Sequence, residues 1–220
     1  MIVVHHLENS RSQRIVWLLE ELAVDYEIRT YPRDPKTQLA PAALKQVHPL
    51  GKSPVLTDDD HTVAESGAII EYLIARHDGQ WLVPPVGTPQ WVRYLHWLHY
   101  AEGSAMPLLV MRLVMSRLGR KPVPMVLRPA GKMLEQGVRQ QYLNPQLKTN
   151  LDYWESELGH HTWFAGEQFT AADIQMSFVL LACERGGELA SRPNARRFLD
   201  QVRERPAYQR TVARIGEFAL

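Results

Sequence analysis

The chain carries one cysteine, Cys183, in 220 residues. A single thiol excludes an internal disulfide framework and any Cys-x-x-Cys redox or zinc site. Charge of one sign is also missing: 25 Lys and Arg face 24 Asp and Glu, a net of +1. Nucleic-acid binders concentrate basic charge on one face, so no such partner is expected. The local run Arg117, Arg120, Lys121 and Arg128 reads as a solvated helix end and loop. No uncharged apolar stretch reaches the roughly 18 residues of a membrane span, because Arg112 interrupts the best candidate, Leu108 to Met115. The opening residues, Met-Ile-Val-Val-His-His-Leu-Glu, lack the basic and long apolar segments of a secretion signal. A soluble cytoplasmic protein with no membrane partner is expected. There is no His-Glu-x-x-His pattern, and no metal site is expected. His96, His99 and Glu102 recur every three residues, which suits a helix face turned toward a cleft or a partner subunit.

What is present is enough for a core: 45% hydrophobic residues and six tryptophans. The length allows one large or two small domains. Ile2 to His6 reads as a strand, and Ser10 to Ala23 as a helix with Ile15, Leu18, Leu19 and Leu22 at helical spacing. Asn9 and Ser10 are both good N-cap types. Tyr26 to Tyr31 reads as a second strand, parallel to the first across the connecting helix. Ala42 to Val47 is a short helix, stopped because the residue before Pro49 avoids helical angles. Two strands and a helix ending near His77 follow, giving an α/β thioredoxin-like module with a mixed four-stranded sheet. Prolines and glycines then crowd residues 78–90, and beyond them strand signals nearly vanish. The expected division is a module over 1–81, a linker over 82–90 and an all-α helical bundle over 91–220. In that bundle, long helices are expected over Thr88–Leu118, with a kink at Pro107, and over Met133–Leu158, with a kink at Pro145. Shorter ones are expected over Thr170–Glu184, Arg192–Glu204 and Pro206–Phe218. Thr170 and Asp173 have the spacing of a capping box. Cys183, inside an apolar run, reads as a buried small hydrophobe.

The segment from His48 to Leu73 holds the most chemistry. Pro54 stands at the entrance to Val55-Leu56, where a residue without an amide proton is tolerated. With a cis Ser53–Pro54 bond, the Ser53 backbone turns off the sheet and is free to pair with a bound peptide. Asp58-Asp59-Asp60 reads as a tight turn. Glu65 and Ser66 open a helix whose unpaired amides and positive dipole end attract a carboxylate. With the Lys52 cation, the combination suits a small zwitterionic peptide.

Taken in order, these features resemble a cytosolic glutathione transferase: Leu7 to Leu22, the Pro49-to-Leu56 loop, Glu65-Ser66, the proline-bearing linker and the Thr170–Asp173 cap. Asn-Ser-Arg-Ser-Gln-Arg before Trp-Leu-Leu-Glu-Glu-Leu, and His-Tyr-Ala-Glu-Gly-Ser at 99 to 104, are similar to bacterial and fungal members of the yeast-type group. The resemblance implies that glutathione is the co-substrate. Ser53 would pair with its cysteinyl backbone across cis Pro54, Lys52 would reach its glycine carboxylate, and Glu65 and Ser66 would hold its γ-glutamyl end. Many relatives carry a β-branched apolar residue where this chain has Ser53, so some packing is expected to be lost there. The resemblance also implies a homodimer in which the first domain of one subunit meets the helical domain of the other.

The thiol-activating group would come from the first loop and helix start, where Ser10, Ser12 and Asn9 are the candidates. A thiol of pKa about 8.5 is only about 3% ionised at pH 7, and lowering it by about two units requires roughly 2.7 kcal/mol of thiolate stabilisation. A donated hydroxyl and a helix N-terminus can supply that together. Ser10, four residues before Arg14, is favoured, because the resemblance implies that serine-type relatives place their hydroxyl at that spacing. An electrophile pocket is expected between the domains, lined by Tyr100, Ser104, Met106, Leu108 and Arg112 with the C-terminal end. Methionine and leucine there would accept varied apolar substrates. Three functions stay open: glutathione conjugation, glutathione-dependent reduction of organic hydroperoxides, and a non-catalytic binding or regulatory protein on the same fold.

Overall fold

The computed structural model describes residues 1–217. Strand β1 (Ile2–Leu7) is followed by α1 (Gln13–Leu22), β2 (Tyr26–Tyr31), α2 (Ala42–Val47), β3 (Val55–Asp58), β4 (His61–Ala64) and α3 (Ser66–Arg76). The strands lie in the order β2-β1-β3-β4, with β1 and β2 parallel and the other pairs antiparallel. This is the expected mixed sheet. Asp58 pairs with His61, so only Asp59 and Asp60 make the turn, with Asp59 at φ 48. One sheet face places Ile2, Val4 and Leu56 against α1 and α3; Leu7 joins Tyr31 and Leu44 in a smaller cluster by α2.

The remainder is helical: α4 (Pro89–Tyr100), α5 (Met106–Met115), α6 (Arg128–Val138), α7 (Asn144–His160), α8 (Ala171–Arg185), α9 (Pro193–Glu204) and α10 (Pro206–Ile215). Among the described residues, no helix is long and apolar enough to cross a membrane. The two long helices expected from periodicity are each interrupted. A π-helical turn at Ala101–Ala105 separates α4 from α5, and another at Arg139–Leu143 separates α6 from α7. Each ends two residues before a proline, Pro107 or Pro145. A helical proline has no amide proton and its ring presses on the carbonyl four residues back. The wider π turn makes that room, so the break falls upstream of the proline rather than at it. Helix α6 also starts earlier than expected, with Pro129 in its first turn, where no amide is needed. Helix α10 ends at Ile215; Phe218, its expected end, lies outside the described residues.

Helix α1 is enclosed rather than amphipathic. Ile15 through Leu19 are buried without a break, because α3, α8, α10 and the sheet surround it. Trp17 packs edge-on to Tyr208 of α10 and beside Phe169. Its start differs from expectation. Asn9 turns the chain at φ 52, and Ser10 Oγ accepts the Ser12 amide at 3.3 Å, so the helix begins only at Gln13. Neither Asn9 nor Ser10 is its cap; a local hydroxyl turn has displaced the helix start.

Helix α8 is capped as expected. The Asp173 carboxylate accepts the Thr170 amide and the Phe164 amide, each at 2.8 Å, and the Thr170 hydroxyl at 3.0 Å. It is fully buried, and burial pushes its carboxyl up to about 7 against those three bonds. Asp173→Ala strands two buried amides, and should destabilise the protein by roughly 2–5 kcal/mol in urea unfolding. A loss well under about 1 kcal/mol would show that the cap is dispensable.

Candidate functional site

Strand register assembles the site. His5 of β1 pairs with Val55 of β3, and Val55 pairs with Ala64 of β4. The residues flanking those pairs are therefore neighbours: His6 and Leu7, then Ser53 and Pro54, then Glu65 and Ser66. The Ser53–Pro54 bond is cis, as anticipated. Glu65, immediately before α3, sits at φ 74 and ψ 125. A residue with a side chain rarely adopts that conformation, which costs about 1–3 kcal/mol and is typical of functional sites. Ser66 is buried at the first residue of α3, while Lys52 and Glu65 are exposed beside it.

Ser53 does more than fill the place of an apolar residue. Its hydroxyl donates to the His5 carbonyl at 2.9 Å and accepts the Leu7 amide at 3.3 Å. It also accepts the Ser10 hydroxyl at 3.3 Å. Ser10 Oγ lies 2.8 Å from Ser12 Oγ, which lies 2.8 Å from His6 Nδ1. The two serines differ in access: Ser12 is 0% exposed, whereas Ser10 reaches a cavity of ≈ 240 Å³. That cavity lies between the β1–α1 segment (His6, Glu8, Asn9, Ser10, Gln13) and the end of α10 (Ile215 to Glu217). Asn9 lines it too, and Arg33 holds the loop by donating to the carbonyls of Glu8 at 2.9 Å and Asn9 at 3.0 Å. Gln13, almost fully buried, lines the same cavity with Nε2 unpaired among the described residues.

Charge fixes this segment in place. Arg14 is 1% exposed, and its guanidinium stacks over the Phe178 ring at 4.8 Å. Its one ion-pair partner among the described residues is Glu102 of the first π turn, which also binds Arg11. Burial lowers the Arg14 pKa to about 10, so it stays charged at neutral pH. Burial alone would raise the Glu102 carboxyl, but Arg14 and Arg11 hold it below its usual value. At the other end of α1, Arg205 grips Glu21 through two bonds of 2.6 and 2.8 Å, and Arg210 and Arg214 grip Glu20.

The five residues expected to line one electrophile pocket do not share one. Tyr100, Ser104 and Leu108 line a cleft of ≈ 460 Å³ against α7. Met106 and Arg112 line another, of ≈ 370 Å³, against α6 and α8. Neither cleft includes a residue before Tyr100. The Tyr100 hydroxyl is bonded to Asn150 and accepts from Trp154 Nε1, and Arg112 pairs with Glu188. Met106 lies about half a turn from Ser104 and Leu108 on any regular helix, so helical spacing itself already sets it on the opposite side. The expected face of His96, His99 and Glu102 is split at the π turn, which contains Glu102 but neither histidine. Both histidines line an open cleft, while Glu102 turns inward to the arginines. No group of three or more His, Cys, Asp or Glu among the described residues could hold a metal ion. Cys183 is buried, and burial pushes its thiol up to about 12.

Three contributors escaped sequence reasoning: His6, Gln13 and Glu102. His6 looked like a strand-end residue, and only the fold of the loop over it reveals Ser12 as its partner. Glu102 offered a signal in its place within His-Tyr-Ala-Glu-Gly-Ser, but nothing local shows that it answers a buried arginine 88 residues earlier.

A mixed four-stranded sheet with a cis-proline edge beside the start of α3, followed by helices, is the thioredoxin-like and helical fold of the transferases. The family model described as glutathione S-transferase, N-terminal domain, matches residues 1–75, and that of the C-terminal domain matches residues 106–206. Glutathione S-transferase 3 of Schizosaccharomyces pombe is 38% identical over 100% of this chain and 90% of its own length. Glutathione S-transferase 1 of Saccharomyces cerevisiae is 32% identical over 84% of this chain and 82% of its own. A glutathione S-transferase crystal structure from Actinobacillus pleuropneumoniae superposes with a TM-score of 0.82 at 36% identity, covering 98% of this chain and 93% of that one. The chain belongs to the glutathione S-transferase family.

Because Glu102 is the counter-ion of a buried arginine, Glu102→Gln should destabilise the protein by about 3–5 kcal/mol. Adding Arg14→Met, which removes the stranded charge, should recover part of that loss in a double-mutant cycle. Purely additive losses would mean that the two side chains do not depend on each other.

Proposed function

We propose that this protein activates the thiol of glutathione for attack on small, mostly apolar electrophiles. The observation that carries the reading is Ser10, which lines a cavity at the start of α1 and whose hydroxyl reaches Ser53 beside cis Pro54. Residues 1–81 would hold glutathione: Ser53 by its backbone, Lys52 at the glycine carboxylate, Glu65 and Ser66 at the γ-glutamyl end. Residues 91–220, joined through 82–90, would supply the walls around the electrophile. The thiol proton leaves to water, Ser10 donates a hydrogen bond to the resulting thiolate, and the sulfur bonds to the electrophilic carbon as a leaving group departs. Ser12, fully enclosed, is a poorer donor to that sulfur, whereas Asn9 lines the same cavity as Ser10. The end of α10, which closes the Ser10 cavity, replaces the split set of α4–α5 residues as the wall nearest the sulfur.

We extend the reading to a cytoplasmic homodimer. Helix α6 has no buried residue, and Met125, Val126, Leu127, Met133 and Leu134 around its start are all more than half exposed. Exposed apolar patches of this kind mark association surfaces. Sedimentation at micromolar concentration should give twice the chain mass of 25.3 kDa; a monomer there would refute the pairing.

A hydroxyl that bonds sulfur more strongly once charged acts on the reacting state rather than on binding. With a chlorinated dinitrobenzene, Ser10→Ala should lower turnover roughly ten- to a hundred-fold and leave glutathione affinity nearly unchanged. Lys52→Ala and Ser66→Ala should weaken binding more than turnover. Full activity in Ser10→Ala, with loss in Ser12→Ala or Asn9→Ala, would reassign the activating group.

A further inference from the structure

His6 is 5% exposed, with its ring turned toward the start of α1. Through Ser12 it is joined to Ser10 by two contacts of 2.8 Å. Each serine hydroxyl owns one proton, so the protons along this chain must all run one way. Ser53 settles which. Its proton goes to the His5 carbonyl at 2.9 Å, so toward Ser10 it can only accept. Ser10 therefore gives its proton to Ser53, and must accept from Ser12. Ser12, having given its proton to Ser10, must in turn accept from His6. The ring nitrogen facing Ser12 then carries a proton. In the opposite direction Ser10 would offer a sulfur only lone pairs, which repel a thiolate.

Resting on the reading of Ser10 as the activating group, we propose that His6 is a positioning residue for thiol activation: as the Nδ1–H tautomer it donates to Ser12, Ser12 donates to Ser10, and the Ser10 proton is thereby kept for the glutathione sulfur. The bond that sulfur displaces, from Ser10 to Ser53, is long at 3.3 Å and correspondingly weak. Hydrogen bonds in an aligned chain polarise one another, so the terminal donor is stronger than an isolated serine. Burial lowers the His6 pKa, against an opposing influence from Glu8. The imidazole thus stays neutral, and the thiol proton passes to water rather than to the ring. Glu8 and Glu217 are the charged groups on the wall of the same cavity.

The test is the ultraviolet thiolate absorbance of bound glutathione against pH in wild type, Ser10→Ala, His6→Phe and His6→Asn. An asparagine amide places an N–H near the Nδ1 position without being able to titrate. Ser10→Ala should raise the thiol pKa by about 1–2. His6→Phe should raise it by about 0.5–1, and His6→Asn should stay close to wild type. All four should bind glutathione with similar affinity. If Ser10→Ala raises the pKa while His6→Phe titrates like wild type, the His6 proposal is overturned and the Ser10 reading stands. If His6→Asn behaves like His6→Phe, donation from this position is not what matters, and the proposal is again overturned. If Ser10→Ala is unchanged, the Ser10 reading itself fails. Should the His6 variants not fold, nitrogen NMR of the wild-type glutathione complex decides: a proton on Nδ1 is expected, and a bare Nδ1 refutes the proposal.

Discussion

A guanidinium cannot be buried alone. Arg14 is enclosed by α1, α8 and the first π turn, and desolvating it costs several kcal/mol unless a carboxylate is held against it. Glu102 meets that requirement, and much else follows. The pair ties the first turn of α1 to the point where α4 gives way to α5. It draws Arg11 to the same carboxylate, so the loop carrying Ser10 and Ser12 is anchored on both sides of Ser12. At the far end of α1, three arginines close on Glu20 and Glu21. A helix fastened by charge at both ends, with Ile15 to Leu19 buried between, leaves little freedom at its N-terminal loop.

The π turns belong to the same logic. Pro107 forbids a regular helix through Gly103, and the widened turn swings Glu102 out of the His96–His99 face and toward Arg14. A regular helix would have kept the carboxylate on the histidine face. Backbone chemistry five residues downstream thus decides where the counter-ion points.

The hydroxyl cluster depends on strand register instead. Pairing His5 with Val55 places the Ser53 hydroxyl against the His5 carbonyl and the Leu7 amide. The packing given up by having serine before the cis proline is replaced by three polar contacts. Those contacts also orient Ser10. Trp17 packs edge-on to Tyr208 and tilted against Phe169 where α1 meets α10, and the core runs unbroken from sheet to helices. That packing brings the end of α10 over the Ser10 cavity.

Much of this was legible in residue order. Apolar alternation, helical spacing, Pro54, Glu65-Ser66 and the Thr170–Asp173 box are local signals, and local signals mark strands, helix starts and a helix cap without help from distant parts of the chain. The mixed sheet and the edge beside Pro54 came from them, while the candidate thiol-activating groups Ser10, Ser12 and Asn9 came from the family resemblance. What periodicity could not convey was direction. A helix repeat places Tyr100, Met106 and Arg112 along a helix but does not show that Tyr100 lines one cleft while Met106 and Arg112 line another. The 88-residue reach from Arg14 to Glu102 and the contact of His6 with Ser12 are likewise tertiary. Each is decided by which buried polar group must find a partner, and that depends on what the fold removes from water.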